Sequence, residues 1–163
     1  MGRVFFDTRE HTHEITASTT AYQCLDSDSN KTFILNTASA TVITLPADGD
    51  MEIGWNVSFA VVLAPAGGVS IKCTDVTNST GQMFIGGMNY QHIADATANV
   101  FQGYAAAASN DSQLLLDSDL DDNRADVGTN ITIMKTAANR FLVTGHVATN
   151  DADGTGAAIF SDI

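Results

Sequence analysis

Basic side chains are scarce: seven lysines and arginines face 19 aspartates and glutamates in 163 residues, for a formal net charge of −12. So few cations cannot neutralise a run of phosphates, so no nucleic-acid partner is expected. Anionic membrane surfaces are disfavoured for the same reason. Cysteine is nearly missing too. Cys24 and Cys73 lie in different strand-like segments, too few for a disulfide framework, and each reads as a small buried apolar residue. No apolar run approaches the roughly 18 residues of a membrane span, and Met1–Glu10 lacks the apolar centre of a signal peptide. Phe6 stands where a myristoylation signal carries Ser or Thr. A cytoplasmically made, soluble protein is the expectation.

Charged residues make up only 16% of the chain, and glutamate is confined to Glu10, Glu14 and Glu52. The usual surface residues of amphipathic helices are therefore lacking. Thr, Ser, Asn, Asp and Gly fill the balance, a composition of strands and tight turns. Four short β-branched segments set the pattern: 32–36, 40–46, 54–62 and 69–72. Pro46 ends the second because it has no N–H for a ladder, and Ala47–Asp50 follows as a turn. Trp55, Val57, Phe59 and Val61 alternate cleanly and are expected to face the core. Pro65–Gly68 reads as a hairpin-like connection. Residues 74–89 look loop-rich, with Met83–Ile85 as an apolar insert. Residues 90–108 fit a helix stripe or a strand, with their neighbours favouring strand. Two further strands, 130–135 and 140–145, are joined through Thr136–Asn139. The expected fold is all-β: an antiparallel β-sandwich or a jelly-roll or barrel-like single domain. Residues 1–20 form an extended N-terminal arm or edge strand, and 21–163 the β-sandwich domain.

Asp117, Asp119, Asp121 and Asn123 have the alternation of a calcium loop. Asp122 stands where that loop needs glycine and Gly128 where it needs a bidentate glutamate, which excludes an EF-hand and favours a solvated acidic loop over the run Asp117 to Asp126. His11 and His13 share one side of an extended segment but supply only two ligands, short of a metal site. Tyr22, Trp55, Tyr90 and Tyr104 could make a sugar platform, though the alternation around Trp55 favours a core role. No Gly-x-Ser-x-Gly elbow, phosphate loop or dinucleotide glycine pattern occurs. No catalytic, cofactor-binding or metal-ligating residue is assigned, no cofactor is expected, and the chain is read as a non-enzyme.

Several stretches resemble a module of bacteriophage virion proteins. They are Tyr22 with Asp28–Phe33 (DSNKTF), Ala40–Ala47 (ATVITLPA), Ile53–Phe59 (IGWNVSF) and Gly67–Ile71 (GGVSI). The close of that module resembles Asn130–Thr136 (NITIMKT) and Asn139–Gly145 (NRFLVTG), with Phe141 in place of the common Trp, and Phe84–Gly87 stands for its Ile-x-Gly step. The likeness covers a little over half the chain and marks virion surface proteins as a class: capsid decoration (cement) proteins, head fibres and tail fibres. It implies a non-enzymatic structural protein on the capsid surface of a virion, assembled in the host cytoplasm. The implied partner is the major capsid protein, and the implied assembly is a homotrimer bridging capsid subunits. A tail or fibre component, or a carbohydrate-binding β-module, is the alternative.

Overall fold

The segments richest in β-branched residues form the strands. The computed structural model describes residues 11–76, 81–92, 101–105, 111–118, 124–149 and 159–161. These hold twelve strands and two short 3-10 turns, at Asp26–Asp28 and Asp48–Asp50. The strands are β1 (Thr12–Thr16), β2 (Ala21–Gln23), β3 (Lys31–Asn36), β4 (Thr41–Thr44), β5 (Asn56–Val61), β6 (Val69–Lys72), β7 (Met83–His92), β8 (Phe101–Ala105), β9 (Gln113–Leu116), β10 (Asn130–Ala137), β11 (Arg140–Thr149) and β12 (Phe160–Ser161). They make a seven-stranded sheet, ordered β1-β3-β5-β10-β11-β7-β8, and a five-stranded sheet, ordered β12-β9-β6-β4-β2. The two sheets share one hydrophobic core. The chain adopts the all-β class that its composition predicts, and its two sheets make a sandwich, one of the two architectures expected.

The pairing differs from the expected antiparallel one. Both sheets are mixed, and β1–β3, β3–β5, β2–β4, β4–β6 and β7–β11 pair in parallel. From β1 to β6 the chain alternates between sheets, so that odd strands stack on odd and even on even in three successive rungs. The connections after β3 and β5 are therefore corners that cross the core, and the Pro65–Gly68 turn joins no hairpin. A turn sequence encodes a reversal of direction but not whether the next strand pairs beside the last or lies across from it. The decision comes from contacts distant in sequence. Gly67 N–H donates to Ala38 O (2.8 Å) and Thr41 N–H to Gly68 O (3.1 Å), so one corner is stacked on the next. A Cβ on Gly67 would lie 2.6 Å from the Ala40 nitrogen, which is why glycine stands there.

Register carries the core. His13, Phe33 and Phe59 fall in one column, Ile15, Leu35 and Val61 in a second, and Tyr22, Ile43 and Ile71 in a third, on the facing sheet. Trp55, Val57, Phe59 and Val61 are all buried, as their alternation requires. Each such side chain contributes about 1.5–3 kcal/mol by leaving water. Residues 12–16 are the edge strand of the larger sheet, and Ile15 is buried within it. Residues 1–10 lie outside the described residues.

One further difference concerns glycine. The stretch expected to be loop-rich contains the ten-residue β7, which runs through Gly86 and Gly87. Gly86 has φ +101°, and a Cβ there would meet Val143 O at 2.4 Å; the glycine lets β7 approach β11, in a stretch whose sequence looks loop-rich. Of residues 90–108, those described, 90–92 and 101–105, are strand. The joint between β10 and β11 is a true hairpin, with Asn139 in the left-handed region at φ 56°.

Candidate functional site

At one end of the sandwich, a buried carboxylate, Asp28, and a partly exposed one, Asp48, hold the loops in place. Asp28 closes the turn between β2 and β3. Its Oδ2 accepts from the Leu25 N–H (2.8 Å) and the Tyr22 hydroxyl (3.2 Å), and its Oδ1 from the Lys31 ammonium (2.7 Å). Burial alone would raise this carboxyl. The Lys31 hydrogen bond, helped by Leu25 and Tyr22, outweighs it and holds the group below the ordinary carboxylate value. Burial and the Asp28 charge push the Tyr22 hydroxyl up to about 12, so it remains a donor. Asn30 completes the turn at φ 68°, a conformation asparagine tolerates. The Asp28–Phe33 motif thus has a mechanical meaning: an acid and a base three residues apart pin a left-handed turn, and Phe33 then enters the core.

The second carboxylate is Asp48. Lys135 on β10 falls in phase with Ile131 and Ile133, so strand alternation points an ammonium inward. Its Nζ donates to Asp48 O (2.6 Å) and Met51 O (2.8 Å) and pairs with Asp48 Oδ1 at 2.9 Å. The same Oδ1 accepts from the Asn139 N–H at 2.8 Å. Burial would raise the Asp48 carboxyl, but Asn139 and Lys135 hold it below its ordinary value. The residues singled out from sequence did not include Lys135. Its position in the Ile-x-Ile-x-Lys alternation was the available signal.

Between these anchors lies a cavity of about 410 Å³ lined by Gln23, Cys24, Leu25, Asp26, Pro46, Ala47, Asp50 and Thr74. Its walls are braced from behind. Gln23 Nε2 donates to Leu45 O (3.1 Å), and the Thr74 hydroxyl also donates to Leu45 O. The buried Gln82 donates to Pro46 O (2.9 Å) and accepts from the Thr74 (2.9 Å) and Asp75 (2.8 Å) N–H groups. The Trp55 indole N–H is shared between Leu25 O (3.3 Å) and Asp26 O (3.2 Å). Trp55 is therefore a core residue whose polar edge fixes a wall of the cavity.

No family model, curated protein or solved structure matches this chain. The side chains considered from sequence are not brought together as a reactive group. Trp55 and Tyr90 are buried, the latter accepting from the Ile159 N–H at 3.3 Å, so no aromatic platform forms from them. Tyr104 lies on β8, opposite Met88. His13 packs on Tyr22 (ring centroids 4.6 Å) and on Phe33 (5.6 Å), while His11 is exposed. No group of three or more potential metal ligands occurs among the described residues. Of the acidic run, residues 119–123 lie outside the described residues. Its ends meet, because the N–H groups of Arg124 (2.6 Å) and Ala125 (3.0 Å) both donate to Asp117 O.

Both cysteines are free and buried, and burial pushes each thiol up to about 12. With almost no thiolate at pH 8 and no access, neither should react with a disulfide reagent in the native protein. Both should react within minutes once denaturant is added. A fast native-state phase in that assay would contradict the packing of Cys24 at the cavity wall.

Proposed function

We propose that this protein is a non-enzymatic structural component of a bacteriophage virion, a decoration protein that binds the outside of the head as a trimer and bridges major capsid subunits. What carries the reading is the resemblance to the phage module, and the roles of its motif residues support it. Asp28, Asn30 and Lys31 form a pinned turn, Gly54 (φ +98°) and Gly68 (φ +79°) shape corners, and Trp55, Phe59 and Phe141 fill the core. At Gly145 a Cβ would sit 2.3 Å from Asn130 O, so that glycine is a demand of strand packing. These positions build a rigid scaffold. A scaffold that acts by sticking gains from repetition, because a trimer engaging several subunits converts weak footprints into avid binding.

The docking segment we assign is residues 1–10, ahead of the edge strand. The cut cannot be placed at residue 20, because Ile15 is buried and Thr41 Oγ1 donates to Thr19 O at 2.8 Å. Purified protein mixed with undecorated heads should co-sediment to a fixed stoichiometry, and light scattering of the free protein should give three copies. A chain beginning at His11 should keep its strand content and lose most head binding. Failure of the full chain to bind any head would sink the proposal, and full binding by the shortened chain would sink the arm.

A further inference from the structure

The cavity beside the Asp28 turn has a chemistry that none of the roles above uses. Its floor and walls are apolar, formed by Cys24, Leu25, Pro46 and Ala47, and Leu25 stands at its lip 58% exposed. Its polar side chains are dominated by two carboxylates on separate 3-10 turns, Asp26 and Asp50. Neither carboxylate has a hydrogen-bond or ion-pair partner among the described residues, and no lysine or arginine lines the cavity. This contrasts with Asp28 and Asp48, the first residues' close neighbours, whose oxygens are taken by Lys31 and Lys135. One pair of acids in these turns is spent on the fold, and the other pair is left over.

We propose that this cavity receives the arginine side chain of a partner protein. The apolar walls suit the aliphatic stem, and Asp26 and Asp50 suit the guanidinium, which is planar, weakly hydrated and able to fork between two carboxylates. A divalent ion is a poorer occupant. It wants six or more oxygens, whereas the carbonyls of Leu45 and Pro46 behind the wall already accept from Gln23, Thr74 and Gln82. Anionic groups are repelled by the two carboxylates and by the net charge of −12. The braced wall means that little ordering accompanies docking. An exposed leucine at the lip gives a flanking protein surface something apolar to cover, which a free small cation would leave wet.

The test uses N-acetyl-L-arginine amide as the probe and ¹H–¹⁵N spectra of the whole chain as the readout, so it requires no capsid. Saturable shifts should appear at the amides of Gln23, Leu25, Asp26, Ala47, Asp50 and Thr74, with a Kd on the order of millimolar for a ligand this small. The lysine counterpart should bind more weakly, and N-acetyl-leucine amide and N-acetyl-glutamate amide should give no saturable shift. The double substitution Asp26→Asn with Asp50→Asn removes no side-chain bond among the described residues and should weaken the arginine probe about tenfold or more. Glu52→Gln, which removes a carboxylate outside the cavity lining, should leave it unchanged. Equal binding of the leucine probe, no saturable shift with arginine, or equal weakening by Glu52→Gln would each overturn the proposal.

Discussion

Lys135→Met should cost about 3 kcal/mol of stability, the lower end of what breaking a buried ion pair removes. Urea unfolding should read it as a lower midpoint at unchanged slope, and heating as a drop of about 10 °C in Tm. The magnitude follows from the partners. The ammonium gives its protons to two carbonyls and a carboxylate, all belonging to the Asp48–Met51 loop, and its own backbone is tied to the same region. Gly54 N–H donates to Lys135 O, and Lys135 N–H to Trp55 O, both at 2.8 Å. Methionine fills the volume but leaves Met51 O without its donor and Asp48 O with only the long bond from the Met51 N–H (3.4 Å). The Asp48 side chain is 28% exposed, so water recovers part of the loss at the carboxylate, which keeps the figure below 5 kcal/mol. Lys72→Met, at a half-buried position on β6, should change stability by no more than about 0.5 kcal/mol.

The same pair sets a pH dependence. The folded Asp48 and Asp28 carboxyls both sit below their ordinary value. Their contribution is therefore complete above the unfolded carboxylate pKa of about 4 and is lost as pH falls below it through the folded value. Wild type should show an acid limb beginning below about pH 4. Lys135→Met should show a shallower one, because Asp48 loses one of the two groups that lower it. An unchanged limb would mean that Asn139 alone carries the shift.

Composition and alternation were enough to read the class, the strand segments 32–36, 40–46, 54–62, 69–72, 130–135 and 140–145, and the buried face of β5. They could not reveal the parallel stacking. A run such as Ala40–Pro46 has the same alternation whether its neighbour is the strand before it or the one two earlier, and only the meeting of Gly67 with Ala38 and Ala40 distinguishes the two. Gly86 misled for a related reason. A glycine in a strand demanded by the backbone of a strand nearly 60 residues later looks, locally, like a break. The cavity was invisible in the same way. Asp26 and Asp50 were legible as turn residues, and nothing in their neighbourhood in the chain said that the two turns face one space while Asp28 and Asp48 are occupied elsewhere. The Asp28–Lys31 spacing was visible, but its function as a pinned turn needed the Tyr22 hydroxyl and the Leu25 N–H in position.

Phe33→Ala should cost about 4 kcal/mol, since a buried phenylalanine truncated to alanine leaves a cavity as well as losing its transfer energy. Phe33 is the middle ring of the first-sheet column: it stacks on Phe59 (5.3 Å, 19° between planes) and meets Tyr22 (5.2 Å) and His13 (5.6 Å) edge-on. Those last two rings belong to the first rung, β1 and β2, each of which pairs along a single ladder at the edge of its sheet. Removing Phe33 should therefore act locally as well as globally. Amides of β1 should exchange with solvent before those of β5 and β10, even under conditions where the whole domain stays folded. Phe59→Ala should cost a similar amount without that early exchange, because its ring lies one rung inward. The two substitutions together should cost about 0.5–1.5 kcal/mol less than their sum, the share belonging to the stacked pair. If β1 keeps its protection in Phe33→Ala while total stability falls, the edge rung is held by its parallel ladder and by Ile15, and the aromatic column serves the interior alone.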